Sequence, residues 1–92
     1  MNKRVVVTGL GCVTPIGIGK EAFWNSLKNG ISGADHITKF DTSDYPTKIA
    51  AEVKNFNPDE YIDKKESRRM DRYTQFAAAA AKMAIDDANL KL

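Results

Sequence analysis

Four cationic side chains close together in the chain are the residues best suited to bind a charged partner. They occupy a segment whose apolar spacing predicts a helix, and they are Lys65, Arg68, Arg69 and Arg72. Residues three and four apart lie on one face of a helix, so positions 65, 68, 69 and 72 predict a cationic stripe. Cations at a helix N-terminus oppose the macrodipole by about 0.3–1 kcal/mol each, and an anionic partner would account for them.

The same stripe also has a simpler interpretation as a solvated helix face. Acidic residues are interleaved with the cations at Asp63, Glu66 and Asp71, where they could neutralise part of the charge. Charged runs on helices most often do no more than face water. The residues alone leave both interpretations open.

A second candidate site is the glycine pair Gly9 and Gly11, which follows an apolar run. A glycine-rich turn between a strand and a helix can bind the pyrophosphate of a dinucleotide. Here the third glycine of that fingerprint is replaced by Thr14, Pro15 follows it, and no acidic residue ends a second strand. The fingerprint is incomplete, so the sequence gives little support to a dinucleotide site.

The elements that position these residues predict an α/β fold. Residues 5–7 are all valine, which suits a buried first strand of a parallel sheet. A short helix is predicted over residues 19–30, with Trp24 on its packed side. Residues 48–53 alternate between apolar and charged, which predicts a half-buried second strand.

The last third of the chain is predicted to be mainly helical. Asn57 followed by a proline and then acids is typical of a helix start, so a single turn is expected near residues 58–62. One long alanine-rich helix is then predicted from about Lys64 to Ala88. Its run of alanine over residues 77–81 predicts close packing against other elements.

Composition narrows the class of protein. The 92 residues make at most one small domain, and 42% hydrophobic with 28% charged residues is ordinary for a globular protein. A net charge of +2 is too small to indicate a nucleic-acid partner.

The lone Cys12 excludes an internal disulfide, and the lone His36 has no catalytic partners nearby in the sequence. The apolar run is too short for a signal peptide or a membrane span, so we expect a cytoplasmic protein without membrane partners.

Several segments together resemble the β-ketoacyl synthases, condensing enzymes of the thiolase-like fold. They read VVVTGLG at residues 5–11, VTPIG at 13–17, FDTS at 40–43 and DKKESRRMDRY at 63–73. The last segment resembles the synthase II branch of the β-ketoacyl-[acyl carrier protein] synthases. The resemblance covers essentially all 92 residues. It implies that residues 1–92 are an incomplete N-terminal segment of the N-terminal domain of such a synthase.

The resemblance also implies a function. Such acyltransferases elongate fatty acyl chains by decarboxylative condensation of malonyl-acyl carrier protein with an acyl-enzyme thioester. Their nucleophilic cysteine and two histidines lie beyond the matched region, so we expect no catalytic residue in this segment, no cofactor and no metal. The basic residues of the synthase II branch contact acyl carrier protein, and the matching positions here are Lys64, Lys65, Arg68 and Arg69. The expected partners are acyl- and malonyl-loaded carrier protein and a second copy of the whole enzyme.

Two other functions stay open at this point. One is a small non-catalytic α/β module that uses the basic residues to bind an acidic protein or a phosphate ligand. The other is a ketosynthase of a polyketide system, which shares the opening motif.

Overall fold

The computed structural model describes residues 2–92, which form two compact units. One unit contains the chain up to Cys12 together with Asn57–Leu92, and the other is Val13–Phe56. The elements in chain order are β1 (Val13–Thr14), β2 (Gly17–Ile18), α1 (Lys20–Lys28), β3 (Ala34–His36), β4 (Ile49–Ala51), a 3-10 turn (Pro58–Glu60), α2 (Lys64–Ser67) and α3 (Arg72–Asp87).

The Val13–Phe56 unit is built from two antiparallel hairpins and one helix. β1 pairs with β2 in a tight hairpin, in which the Thr14 hydroxyl donates to the Gly17 carbonyl at 2.7 Å. β3 pairs with β4, with Asp35 opposite Ala50. The predicted second strand is therefore present as β4, at an edge, but its residues are exposed rather than half-buried. β3 falls in a stretch rich in turn residues, which is why the sequence did not predict it.

α1 lies where the sequence predicts a helix. It begins after Gly19, which has φ 92°, and ends before Gly30, which has φ 65°. The Ser26 hydroxyl donates to the Ile16 carbonyl at 2.6 Å and so joins the helix to the first hairpin. Trp24 was expected in a packed core, yet 58% of it is exposed. That expectation is wrong for the described residues, because α1 packs on one small hairpin only.

The long helix predicted from Lys64 to Ala88 is interrupted, which corrects the sequence prediction. α2 ends at Ser67, and α3 begins only at Arg72, after Asp71 in an extended conformation with ψ 160°. In a continuous helix the Ser67 carbonyl would accept from residue 71. It accepts instead from the amide of Met70 at 3.1 Å and from Nε2 of Gln75 at 3.0 Å. No glycine or proline marks this break, so local sequence signals could not reveal it.

The predicted buried first strand at residues 5–7 is not formed among the described residues. Residues 2–12 contain no strand, and Val5, Val6 and Val7 are 91%, 61% and 80% exposed. A strand is stabilised by a ladder of hydrogen bonds to a neighbouring strand. No described residue offers such a ladder here, so the high strand propensity of valine is not realised.

Candidate functional site

The four predicted docking residues lie together on α2 and on the turn that closes it. Lys64 and Lys65 begin the helix, and Arg68 and Arg69 follow its last residue. All four are exposed. We call this group, Lys64, Lys65, Arg68 and Arg69, the basic cluster.

Backbone hydrogen bonds fix the short segment that carries the basic cluster. Just upstream, the Asn57 side chain caps the 3-10 turn by accepting from the amide of Asp59 at 3.1 Å, as the sequence predicts. Within α2, the amide of Ser67 donates to Asp63 at 2.9 Å and that of Arg68 to Lys64 at 3.3 Å. The chain then tightens, because the amide of Arg69 donates to the carbonyl only three residues back, at 3.1 Å.

Within residues 2–92 the side chains of the basic cluster form no ion pair. No carboxylate oxygen approaches their nitrogens within 4.0 Å, and the interleaved acids Asp63, Glu66 and Asp71 are equally unpaired. The simpler interpretation, a solvated face, included partial neutralisation by these three acids. In the structure each cation instead keeps its whole set of donors available to another molecule. Four such groups within six residues make a compact positive surface.

Arg72 does not belong to the basic cluster, although the periodicity placed it on the same stripe. The helix break puts Arg72 on α3, and its guanidinium carbon lies 5.2 Å from the centre of the Phe76 ring. That distance is typical of a cation–π contact. The predicted stripe is therefore shortened to residues 65, 68 and 69, with Lys64 beside them.

The glycine pair packs against α3 and leaves no room for a pyrophosphate. A Cβ at Gly11 would lie 2.7 Å from the amide nitrogen of Ala84, and one at Gly9 would lie 2.7 Å from that of Ala88. Real Cβ atoms do not approach other atoms so closely. The chain after these glycines enters the β1–β2 hairpin rather than a helix. The dinucleotide interpretation is therefore not supported, and the glycines serve close packing on the alanine face of α3.

Other residues with reactive side chains do not assemble into a site. Cys12 is a half-buried free thiol, and His36 is exposed on β3. Hydrogen bonding from the His36 amide, together with the nearby Lys54 ammonium, lowers the pKa of Asp35 below its usual value. Among residues 2–92 no group of His, Cys, Asp and Glu side chains could hold a metal ion.

A shallow concavity of about 400 Å³ lies within the Val13–Phe56 unit. The β1–β2 hairpin lines one side, and Lys54 and Asn55 line the other. The Lys54 ammonium lies 3.7 Å from Asp35, so the one cation of this concavity is already paired. The concavity holds no convergent set of polar groups, and we assign no ligand to it.

None of the helices in the described part of the chain is long and apolar enough to cross a membrane.

Comparison with known proteins places the chain in a family. The family described as "Beta-ketoacyl synthase, N-terminal domain" matches residues 2–92. The chain therefore belongs to the β-ketoacyl synthase family, as the sequence motifs indicated. The described residues are a mixture of helix and strand.

Two similar curated proteins share a name. The chain is 50% identical over 91 residues to "3-oxoacyl-[acyl-carrier-protein] synthase 2" of Staphylococcus aureus (strain COL), covering 99% of this chain and 22% of that protein. It is 48% identical over 89 residues to the protein of the same name from Synechocystis sp., covering 97% of this chain and 21% of the relative. The chain thus spans about a fifth of the length of these relatives.

A solved structure is similar in fold as well as in sequence. "The ishigamide ketosynthase/chain length factor" superposes with a TM-score of 0.85 at 43% identity. The match covers 94% of this chain and 21% of that one.

Proposed function

We propose that this chain is the N-terminal part of a β-ketoacyl-[acyl carrier protein] synthase of type II, an acyltransferase of fatty acid biosynthesis. Residues 1–92 would supply part of the scaffold and a docking surface for acyl carrier protein. The name shared by relatives at 48–50% identity supports this proposal. The family match over residues 2–92 supports it independently.

The observation that carries the docking role is that no residue in the described part of the chain forms an ion pair with the basic cluster. Exposed charges that no neighbour satisfies act over distance and raise the rate of association with an oppositely charged partner. The names of the relatives contain acyl carrier protein, and the family resemblance implies that this carrier is an acidic protein. Its negative surface would meet the cations of the cluster without displacing any internal ion pair.

The chemistry of the proposed reaction rests on groups that we place outside these 92 residues. A cysteine thiolate attacks the thioester of acyl-acyl carrier protein, takes the acyl group and releases the carrier thiol. Malonyl-acyl carrier protein loses CO₂, and the resulting carbanion attacks the acyl-enzyme thioester and releases the cysteine thiolate. Cys12 is not a candidate for this nucleophile, because it lies half-buried directly after the tightly packed Gly11. We propose that it fills space as a small apolar residue. The family resemblance further supports a homodimeric, cytoplasmic parent enzyme.

A charge reversal tests the docking role. Arg68→Glu in the full-length enzyme should raise KM for carrier-bound substrate and leave turnover of a carrier-free thioester unchanged. Lys28→Glu, an exposed cation on α1, is the matched control.

A second candidate is a ketosynthase of a polyketide system, favoured by the match to the ishigamide ketosynthase/chain length factor. The identity of 43% to that chain against 50% to the synthase of Staphylococcus aureus favours the fatty acid enzyme. Incubation of the full-length protein with acyl- and malonyl-carrier distinguishes the candidates. A single two-carbon extension of saturated acyl chains supports the fatty acid enzyme, and repeated two-carbon extension of one chain supports the polyketide ketosynthase. No extension would favour a non-catalytic binding module.

A further inference from the structure

We propose that Gln75 is a positioning residue for the basic cluster, because it holds open the helix break that orients Arg68 and Arg69. This inference rests on the proposed docking function of the cluster. Gln75 itself is on α3, outside the cluster, and carries no charge.

The side chain of Gln75 takes one of the two acceptor positions of the Ser67 carbonyl, and the Met70 amide takes the other, which leaves none for a helical bond from residue 71. Its Nε2 donates to the Ser67 carbonyl at 3.0 Å. An unbroken helix would satisfy that carbonyl with the amide of residue 71. A side chain that bonds a backbone group offers the chain an alternative to the helical hydrogen bond. With Gln75 in place, Asp71 stays extended and α3 starts afresh at Arg72.

Ser67 transmits this restraint to the basic cluster. It is the one buried polar residue among the described residues, with 3% exposed, and it directly precedes Arg68. Its hydroxyl donates to the Lys64 carbonyl at 3.0 Å. Ser67 thus links two residues of the basic cluster, since it bonds the Lys64 carbonyl and is the neighbour of Arg68 in the chain. Gln75 in turn fixes Ser67 against α3.

Stability of the local fold does not by itself explain a glutamine at position 75. The Oε1 atom of Gln75 is buried and has no hydrogen-bond partner among the described residues. A buried acceptor without a partner lowers stability, and an apolar side chain of similar size would remove it. The Ser67 carbonyl would still accept from Met70. A role in holding the break accounts for a glutamine at this position.

A helix break that is fixed before docking leaves the basic cluster already oriented for its partner. Without Gln75, residues 68–71 can join α2 to α3 in one helix, which turns Arg68 and Arg69 relative to α3. Docking would then require the segment to be reordered, and affinity falls when binding must order flexible groups. The charges would be unchanged, so the effect differs in kind from that of removing a cation.

A double-mutant cycle in the full-length enzyme tests the inference. Gln75→Met should raise KM for carrier-bound substrate about three- to tenfold, with kcat and turnover of a carrier-free thioester unchanged and with no loss of stability in urea unfolding. In an Arg68→Ala/Arg69→Ala background the same substitution should change KM less than about twofold, because the residues through which it acts are gone. Lys82→Met, on the exposed part of α3, is the matched control.

The outcomes separate this inference from the proposed function. If Arg68→Ala/Arg69→Ala raises KM and Gln75→Met does not, the positioning role is wrong and the docking role stands. If the arginine variant has no effect, the docking role fails, and the positioning role fails with it. An equal effect of Gln75→Met in both backgrounds also overturns the inference, because Gln75 would then act independently of the cluster. Gln75→Ala, which cannot overfill the site, decides the question if the methionine variant does not fold.

Discussion

The backbone amide of Leu10 donates a hydrogen bond to Oδ2 of Asp87 at 2.9 Å, across 77 positions of sequence. Leu10 lies between the two glycines that pack on α3, and Asp87 is the last residue of that helix. A carboxylate at a helix C-terminus opposes the macrodipole. The bond to Leu10 gives this charge a partner and fixes the glycine segment along the helix.

Substitution of Gly11 should therefore disrupt this contact. In Gly11→Ala the new Cβ would lie 2.7 Å from both the Ala84 nitrogen and the Met83 Cβ, so backbone must move. Overpacking of this kind lowers the free energy of unfolding by about 1–3 kcal/mol. Urea unfolding of the full-length protein measures the loss.

The control for Gly11→Ala is Gly30→Asn. Gly30 has φ 65° and open space around its Cβ position, and asparagine tolerates that conformation. Its effect should stay within about 0.5 kcal/mol. Equal stability of Gly11→Ala and the unaltered protein would show that the segment does not pack closely on α3.

Acid should loosen the loop between β3 and β4. The Thr38 hydroxyl donates to the Glu52 carboxylate at 2.8 Å, and the amides of Thr38 and Lys39 donate to it as well. These bonds, chiefly the one from the hydroxyl, hold the pKa of Glu52 below the ordinary value of 4.5. At the same pH the unfolded chain therefore binds more protons at Glu52 than the folded protein does. The stabilisation is complete above the pKa of Glu52 in the unfolded chain, and it is lost as pH falls through the pKa of Glu52 in the folded protein.

An NMR titration of the Glu52 carboxyl checks this expectation. The midpoint should fall below 4.5, and the amide resonance of Thr38 should shift with the same midpoint. In Glu52→Gln, which keeps an acceptor but does not titrate, the Thr38 shift should disappear. A Glu52 midpoint at or above the ordinary value contradicts the hydrogen-bonding arrangement.

Residues 1–92 made alone should lack synthase activity and should not form a stable monomer. Among the described residues only two hydrophobic side chains, Phe56 and Ala79, are buried, while Val5 and Val7 are at least 80% exposed. Exposed valines without a strand partner favour association between chains. Size-exclusion chromatography with hydrogen exchange is the measurement. Strong amide protection over residues 5–8 and 77–84 in a monomer would show an independent domain.

Local signals in the sequence predicted those elements that local interactions determine. α1 is bounded by Gly19 and Gly30, and the 3-10 turn is capped by Asn57, so each carries its own start or stop. The helix break depends on a bond between Ser67 and Gln75, eight positions apart, and no propensity encodes it. A strand at residues 5–7 needs a partner strand, and propensity cannot supply one.

The candidate site was predicted in part. Resemblance pointed to Lys64, Lys65, Arg68 and Arg69, and periodicity added Arg72 to the same stripe. The structure keeps the first four together and moves Arg72 to α3, over Phe76. The four cations form no ion pair with any residue from 2 to 92. The sequence could not reveal this, because three acids are interleaved with the cations and could equally have paired with them.

The most direct test of the central claim is the kinetics of Arg68→Glu in the full-length enzyme at several salt concentrations. If the basic cluster docks an acidic carrier protein, KM for carrier-bound substrate should rise about tenfold. The dependence of this KM on salt should weaken, because the substitution removes part of the attraction that salt screens. Turnover of a carrier-free thioester and the Lys28→Glu control should stay within about twofold of the unaltered enzyme. An unchanged KM for the carrier-bound substrate, or an equal loss with both substrates, would contradict the account.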